Sequence, residues 1–225
     1  MEEIIKGSKS FILRVAEMHE LPEVKAVDDC AFGNHHGISM EELHTLYHRG
    51  KIIILVEKET GKIIGETQVL FTPINELPYQ FDHHVAYCYG IGVLPEYQRQ
   101  GFGKILMNAH DTWAKQEGLK ESHMTIRAEN YPSIKLMIDV GYHIFGYDPT
   151  FYGKNIETDA RLLLRKSLNG GFPHLQYPIP ETGIFVPIVY GDTHDKRAHQ
   201  SIKILTKRNH TGRRIDRQGL YFFPS

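Results

Sequence analysis

The stretch Gly90-Ile91-Gly92-Val93-Leu94-Pro95-Glu96-Tyr97-Gln98-Arg99-Gln100-Gly101-Phe102-Gly103-Lys104 is where residue types and spacing point most directly to chemistry. An apolar strand ends at Val93, a polar turn follows, and a helix opens among glycines. Such a junction aims several unpaired backbone N–H groups at one place and adds the positive end of the helix dipole. Gly101 and Gly103 have no side chains to hold a pyrophosphate away from the backbone, and Arg99 and Lys104 add positive charge. The chemistry implied is the binding of a phosphorylated ligand. A P-loop is excluded, because Lys104 is followed by Ile105 where a magnesium-binding hydroxyl is required. A dinucleotide fingerprint is excluded as well, since Leu106 stands where the third glycine belongs.

What remains is Gln98-x-x-Gly101-x-Gly103, and this spacing resembles the Q/R-x-x-G-x-G/A turn of the GNAT superfamily of acetyl-CoA-dependent N-acetyltransferases. In that family the turn binds the coenzyme A pyrophosphate. The resemblance therefore implies coenzyme contacts from Gln98, Arg99, Gln100, Gly101, Phe102, Gly103 and Lys104, with Ile91 and Val93 on the strand before them. A backbone N–H near Val93 is the natural donor to the thioester oxygen as charge develops there. Downstream, Asn130-Tyr131-Pro132-Ser133-Ile134-Lys135-Leu136-Met137-Ile138-Asp139-Val140-Gly141-Tyr142 is similar to the family's second signature, an Asn, a short helix, then Gly-aromatic. By that likeness Asn130 hydrogen-bonds the pantetheine arm and Ser133 joins the coenzyme site. The resemblance runs from about residue 10 to residue 168. It implies acetyl transfer from acetyl-CoA, as co-substrate, to the primary amine of a small molecule or peptide. The alternative is a module of the same fold that binds acyl-CoA without transferring it.

One position favours that alternative. Many family members carry a Tyr seven residues after the Asn, which protonates the departing thiolate, and here the residue is Met137. A thioether has no proton to give. On the strand before the glycine turn, where some relatives place a catalytic Glu, the polar groups are Tyr87, Cys88 and Tyr89. The two-residue period puts Tyr87, Tyr89, Ile91 and Val93 on one face, which makes Tyr87 and Tyr89 the catalytic candidates. Glu66 on the neighbouring strand reads as a solvated carboxylate that could pass a proton through water. Cys88 reads as a small core residue rather than an acyl-carrying nucleophile. His44 and His48 stand four apart, a zinc-compatible spacing, but without the Glu of a metalloprotease. With His35-His36 and His83-His84 they read as surface histidines, and no metal is expected.

These groups must be positioned by a mixed α/β domain. The expected order is a strand at Ser10–Ala16, helices at Leu21–Phe32 and from Ser39 to Gly50, then a hairpin of Ile52–Lys58 and Lys62–Phe71. Ser39-Met40-Glu41-Glu42 is a capping box. A buried strand at Val85–Val93 precedes a helix at Gly101–Glu117, with Phe102, Ile105, Leu106, Ala109 and Trp113 on its apolar face. Then come a strand at Ser122–Arg127, a helix at Ser133–Val140, and strands at Tyr142–Tyr152 and Asp159–Lys166.

After Leu168 the pattern breaks at Asn169-Gly170-Gly171-Phe172-Pro173. Residues 1–168 are therefore read as the GNAT-type domain and 169–225 as a β-rich extension without helix, with strands at Ile184–Tyr190 and Ser201–Leu205. Between Lys196 and Arg217 the extension holds eight basic residues against the single acid Asp216. Its apolar groups Ile184-Phe185-Val186 and Tyr221-Phe222-Phe223 argue for packing on the domain or across a homodimer rather than for a nucleic-acid-binding arm.

The 225 residues carry a formal net charge of −1 and 41% hydrophobic residues, which excludes wholesale disorder. The longest apolar run, Ile52 to Val56, is far short of the ~18–20 residues of a membrane span. The acidic start Met1-Glu2-Glu3 does not read as a signal peptide, and two cysteines are too few for a disulfide scaffold. A cytoplasmic address is the expectation.

Overall fold

The computed structural model describes residues 2–32, 37–74, 77–127, 130–148, 150–151, 160–170, 183–187, 196–215 and 219–224. It is a mixed α/β structure whose chain forms two compact units, Met1–Pro73 with Phe81–Leu119, and Ile74–Gln80 with Lys120–Ser225.

In the first unit, β1 (Glu2–Lys6), β2 (Lys9–Val15), β3 (Gly50–Glu57), β4 (Ile63–Leu70) and β5 (Val85–Val93) lie side by side in that order, each antiparallel to the next. Helices α1 (Leu21–Phe32), α2 (Met40–Arg49) and α3 (Phe102–Gln116) pack on them. Two adjacent positions of β4 show the layering. A side chain at Gly65 would meet Leu106 of α3 at 3.1 Å. Glu66, on the opposite face, lies across from Gly92, where a side chain would meet Ala31 of α1 at 3.2 Å. Covered from both sides, the sheet needs apolar residues at consecutive positions, and Ile52, Ile53, Ile54 and Leu55 are all fully buried. The capping box forms as read. The Glu42 N–H donates to Ser39 Oγ at 3.1 Å, and the Ser39 N–H donates to the Glu42 carboxylate at 2.8 Å. On α3, Phe102, Leu106 and Ala109 are buried, while Ile105 and Trp113 are half-buried. β1 lies outside the expected elements. It is an exposed edge strand turned through Gly7-Ser8, with Gly7 at φ +63°, and has no buried face to leave a periodic signal.

In the second unit, β6 (Glu121–Ile126), β7 (His143–Asp148), β8 (Arg161–Ser167), β9 (Ile184–Pro187), β10 (His210–Ile215) and β11 (Gly219–Pro224) follow the spatial order β6-β8-β7-β10-β11-β9. Helix α4 (Tyr131–Asp139) separates β6 from β7 in the chain, and α5 (Lys196–Lys207) precedes β10. The strand expected at Tyr142–Tyr152 is found at His143–Asp148, residues 150–151 are turn, and Tyr152 and Asp159 lie outside the described residues. No helix among the described residues is long and apolar enough to cross a membrane.

The extension corrects the sequence reading at one element. Residues 196–207 form a helix, not a strand at Ser201–Leu205. The alternation of Ile202 and Ile204 imitates a two-residue period, yet the buried side chains are Ala198, Ile202 and Leu205, spaced four and three apart, and Ile204 is 41% exposed. The expected strand at Ile184–Tyr190 is found at Ile184–Pro187; residues 188–190 lie outside the described residues. Gly212 of β10 pairs with Ile144 of β7 so closely that a side chain there would meet Ile144 Cδ1 at 2.9 Å. Phe222 and Phe223 are fully buried. Part of the basic run is therefore engaged: Arg213 is buried, and the Arg214 guanidinium lies 4.0 Å from the Tyr221 ring centroid. Arg217 lies outside the described residues. Replacing Phe222 with Ala should cost ~3–5 kcal/mol in urea unfolding. A loss below about 1 kcal/mol would contradict this packing.

Candidate active site

The glycine turn is built on an aromatic base. Phe11 of β2 packs against Phe102 at 4.7 Å and Tyr97 at 6.4 Å between ring centroids, and Phe102 is buried. Gln98 donates its side-chain amide back to the Val93 carbonyl at 2.9 Å, and Gln100 donates to the Glu96 carbonyl at 2.9 Å. Both glutamines thus hold the turn's shape. Arg99 is left-handed at φ +59°, a conformation that costs a non-glycine residue about 1–2 kcal/mol. Gly101 follows at φ +84° as the N-cap of α3. The first intrahelical bond runs from the Ile105 N–H to the Gly101 carbonyl, so the amides of Phe102, Gly103 and Lys104 precede the ladder. Among the described residues a side chain at Gly101 would meet only Lys6 Nζ, 3.1 Å away, and that ammonium lies 4.8 Å from the Phe102 ring centroid. Free amides, a dipole end, absent side chains and a cation make a cradle for a phosphate anion. Lys6 was not among the residues singled out from sequence, because the strand that brings it was itself silent.

The face assignment on β5 needs correction. Gln68 pairs with Gly90 and Val69 with Cys88, leaving Tyr89 as an extra residue, a β-bulge. Beyond it the side-chain parity inverts. Tyr87 shares a face with Leu70, and Gly90 and Gly92 with Gln68 and Glu66, whereas Ile91 and Val93 point with Thr67 and Gly65 toward α3. Tyr87 and Ile91 therefore lie on opposite faces. Tyr87 is buried and stacks on Phe81 at 5.6 Å, and Tyr89 donates its phenol to Glu42 Oε1 on α2 at 2.9 Å. Cys88 is buried against Met107 of α3, and burial pushes its thiol up to about 12, in keeping with a core role.

Glu66 overturns its sequence reading outright. It is fully buried, not solvated. Gln68 Nε2 donates to its Oε2, while Oε1 has no well-formed partner among the described residues. A side chain at Gly92 would stand 2.7 Å from that oxygen, and one at Gly90 would collide with Gln68. Two glycines on β5 thus make room for two buried polar side chains on β4. Burial, then the charge of Asp28, raises the Glu66 carboxyl well above its ordinary range, with the Gly92 N–H opposing weakly. Asp28 on α1 is itself buried, accepts the Ile38 N–H at 2.7 Å, and is raised to about 6, mainly by burial. Glu42 would be raised by burial too, but the Ser39 amide and hydroxyl and the Tyr89 phenol hold it low. The available signal for this cluster was Glu66-x-Gln68 facing Gly90-x-Gly92, legible only once the bulge sets the register.

In the second unit, Asn130 caps α4. Its Oδ1 accepts the Ser133 N–H at 3.2 Å, which leaves the amide Nδ2 as its donor end. Met137 is fully buried. His44 and His48 lie on α2, His83 and His84 stack edge to face at 5.7 Å, and His35 and His36 lie outside the described residues. Among the described residues there is no group of three or more His, Cys, Asp or Glu disposed to hold a metal ion.

A strand with a bulge, a turn and a helix opening on left-handed glycine make an anion-accepting arrangement, and the comparisons set it within one family. The acetyltransferase (GNAT) family model matches residues 21–142, and this chain belongs to that family, which uses acyl-CoA. N-alpha-acetyltransferase 60 of Xenopus tropicalis is 26% identical over 122 residues, 52% of this chain and 46% of that protein, so the match spans under half of the relative. The ribosomal-protein-S18-alanine N-acetyltransferase of Escherichia coli superposes with a TM-score of 0.58 at 18% identity, covering 74% of this chain and 99% of that one. A GNAT-like decarboxylase, GphF, bound to isobutyryl-CoA, superposes with a TM-score of 0.58 at 18% identity, over 70% of this chain and all of its own (100%).

The two raised carboxyls predict a pH dependence. Each binds its proton more tightly folded than unfolded, so stability falls as pH rises from the unfolded pKa through the folded one. For Asp28, moving from 3.8 to about 6, the loss is at most about 3 kcal/mol across that window. Asp28→Asn, which can still accept the Ile38 N–H, should flatten the decline in urea-unfolding stability between about pH 4 and 6. Parallel wild-type and variant curves would contradict the assignment.

Proposed function

We propose that this protein moves an acetyl group from acetyl-CoA to a primary amine in the cytoplasm. The observation that supports the coenzyme is the anion cradle at the start of α3, where the amides of Phe102, Gly103 and Lys104 open beside left-handed Gly101. Gln98, Arg99 and Gln100 shape that cradle. Ile91 and Val93 offer strand backbone to the acyl arm, and Asn130 and Ser133 are its further coenzyme contacts by family likeness. Transfer needs an attacking amine without its extra proton, a polarised carbonyl, and a thiolate able to leave. Positioning supplies much of this. Tyr87 and Tyr89 are the proposed catalytic residues of β5, and Tyr89 already carries a proton toward Glu42. We assign residues 1–168 to the acetyltransferase domain and 169–225 to an extension joined to it through the β10–β7 pairing.

Because a relative is named as an N-alpha-acetyltransferase, the acceptor panel should include peptides with free N-termini beside polyamines, aminoglycosides and amino acids. Thiol release from acetyl-CoA with at least one of these amines is the expected result. Coenzyme binding without release on any of them would favour the non-transferring module. In calorimetry, Gly101→Asp should weaken acetyl-CoA binding tenfold or more, on the order of the ~1.4 kcal/mol or more expected from placing a carboxylate and a strained backbone at a phosphate cradle. Undiminished binding would remove the cradle from the site.

A further inference from the structure

The transferase reading leaves one role empty, and the following rests on that reading. A departing thiolate needs a proton, and the buried thioether of Met137 has none to give. The molecule holds another candidate. Glu66 lies directly across from Gly92, between Ile91 and Val93, the backbone proposed to run along the acyl arm. Its carboxyl occupies the space a side chain at position 92 would fill. A carboxyl kept only for packing would have both oxygens paired, since an unpaired buried one costs about 1–3 kcal/mol. Here Oε2 accepts from Gln68, and Oε1 is left without a well-formed partner among the described residues, at 0% exposure.

We propose that Glu66 is the general acid of this protein, donating a proton from Oε1 to the coenzyme sulfur. The amine nitrogen forms its bond to the acetyl carbon, the carbon–sulfur bond breaks with its electron pair on sulfur, and the Oε1 proton joins that sulfur. The proton lost by the nitrogen returns to the Glu66–Asp28 pair, so the cycle consumes no net proton and no electrons. The charged and titratable groups around Glu66 fit a resting acid. Asp28 on α1 faces it, with Asp29 and Lys25 behind and Glu42 on α2 beyond, while the Cys88 thiol on the α3 side lies close enough to feel its charge. Lys25 is engaged with Asp29, an ion pair of 2.5 Å, and the charge that acts on Glu66 among the described residues is the like charge of Asp28. Burial, and then the like charge of Asp28, favour the protonated form of Glu66.

Glu66→Gln tests this, because it keeps the shape and lacks the acid. Infrared spectra at pH 7 should show a protonated carboxyl band in the wild type that the variant lacks. The variant's kcat should fall on the order of 10²-fold, with KM for acetyl-CoA changed less than about threefold. The wild-type rate should decline at high pH as Glu66 ionises. Asp28→Asn removes the neighbouring negative charge, lowers the Glu66 pKa, and should move that decline to lower pH. An unchanged carboxyl band, a kcat within about threefold of wild type, or a decline that stays in place in Asp28→Asn would each overturn the assignment. Wild-type protein that releases no thiol with any amine would overturn the transferase reading and this one with it; wild-type turnover matched by Glu66→Gln overturns this one alone.

Discussion

A single extra residue in β5 sets the chemistry of the first unit. Without the bulge at Tyr89, strand parity would carry Tyr87, Ile91 and Val93 to one side of the sheet and leave Gly90 and Gly92 facing α3. With it, Ile91 and Val93 turn toward α3, and the two glycines turn toward α1, where Glu66 and Gln68 fill the space they vacate. The bulge also frees Tyr89 from the ladder's alternation, and its phenol reaches Glu42 on α2. One backbone irregularity therefore separates an α3-facing side from an acid-lined side within nine residues of strand.

The two sides run on opposite electrostatics. At the α3 end, amides and the Lys6 ammonium gather positive potential around a turn pinned by Phe11, Tyr97 and Phe102. On the α1 side, Asp28 and Glu66 are both buried, and the charge of Asp28 raises the Glu66 carboxyl. Such a pair is tolerable because burial favours its protonated form, and holding a proton is itself a chemical capacity. The energetic cost appears as stability lost with rising pH. The two properties have one cause.

Much of this was legible from the chain. Helix α1, strand β5, the Ser39 capping box and the glycine turn stand where periodicity and capping chemistry place them, because each is decided by neighbours a few residues away. The misses share a different physics. β1 buries nothing, so no pattern marks it, and Lys6 was hidden with it. Helix α5 was masked by Ile202 and Ile204, whose alternation looks extended until Ala198, a turn away, is counted on the same face. Glu66 was misread because a carboxylate on a strand is ordinarily solvated, and its burial follows from glycines some 25 residues downstream, across a strand pairing whose register only the bulge determines.

The central claim is that the opening of α3 holds the phosphates of an acyl-CoA. Hydrogen exchange at single-residue resolution reads it directly. Coenzyme A should slow exchange at the amides of Phe102, Gly103 and Lys104, which the helix itself leaves outside its ladder, and slow them more than the amides of β3. Saturating coenzyme A that leaves these three amides exchanging at their free rate, while protecting some other segment, would contradict the account.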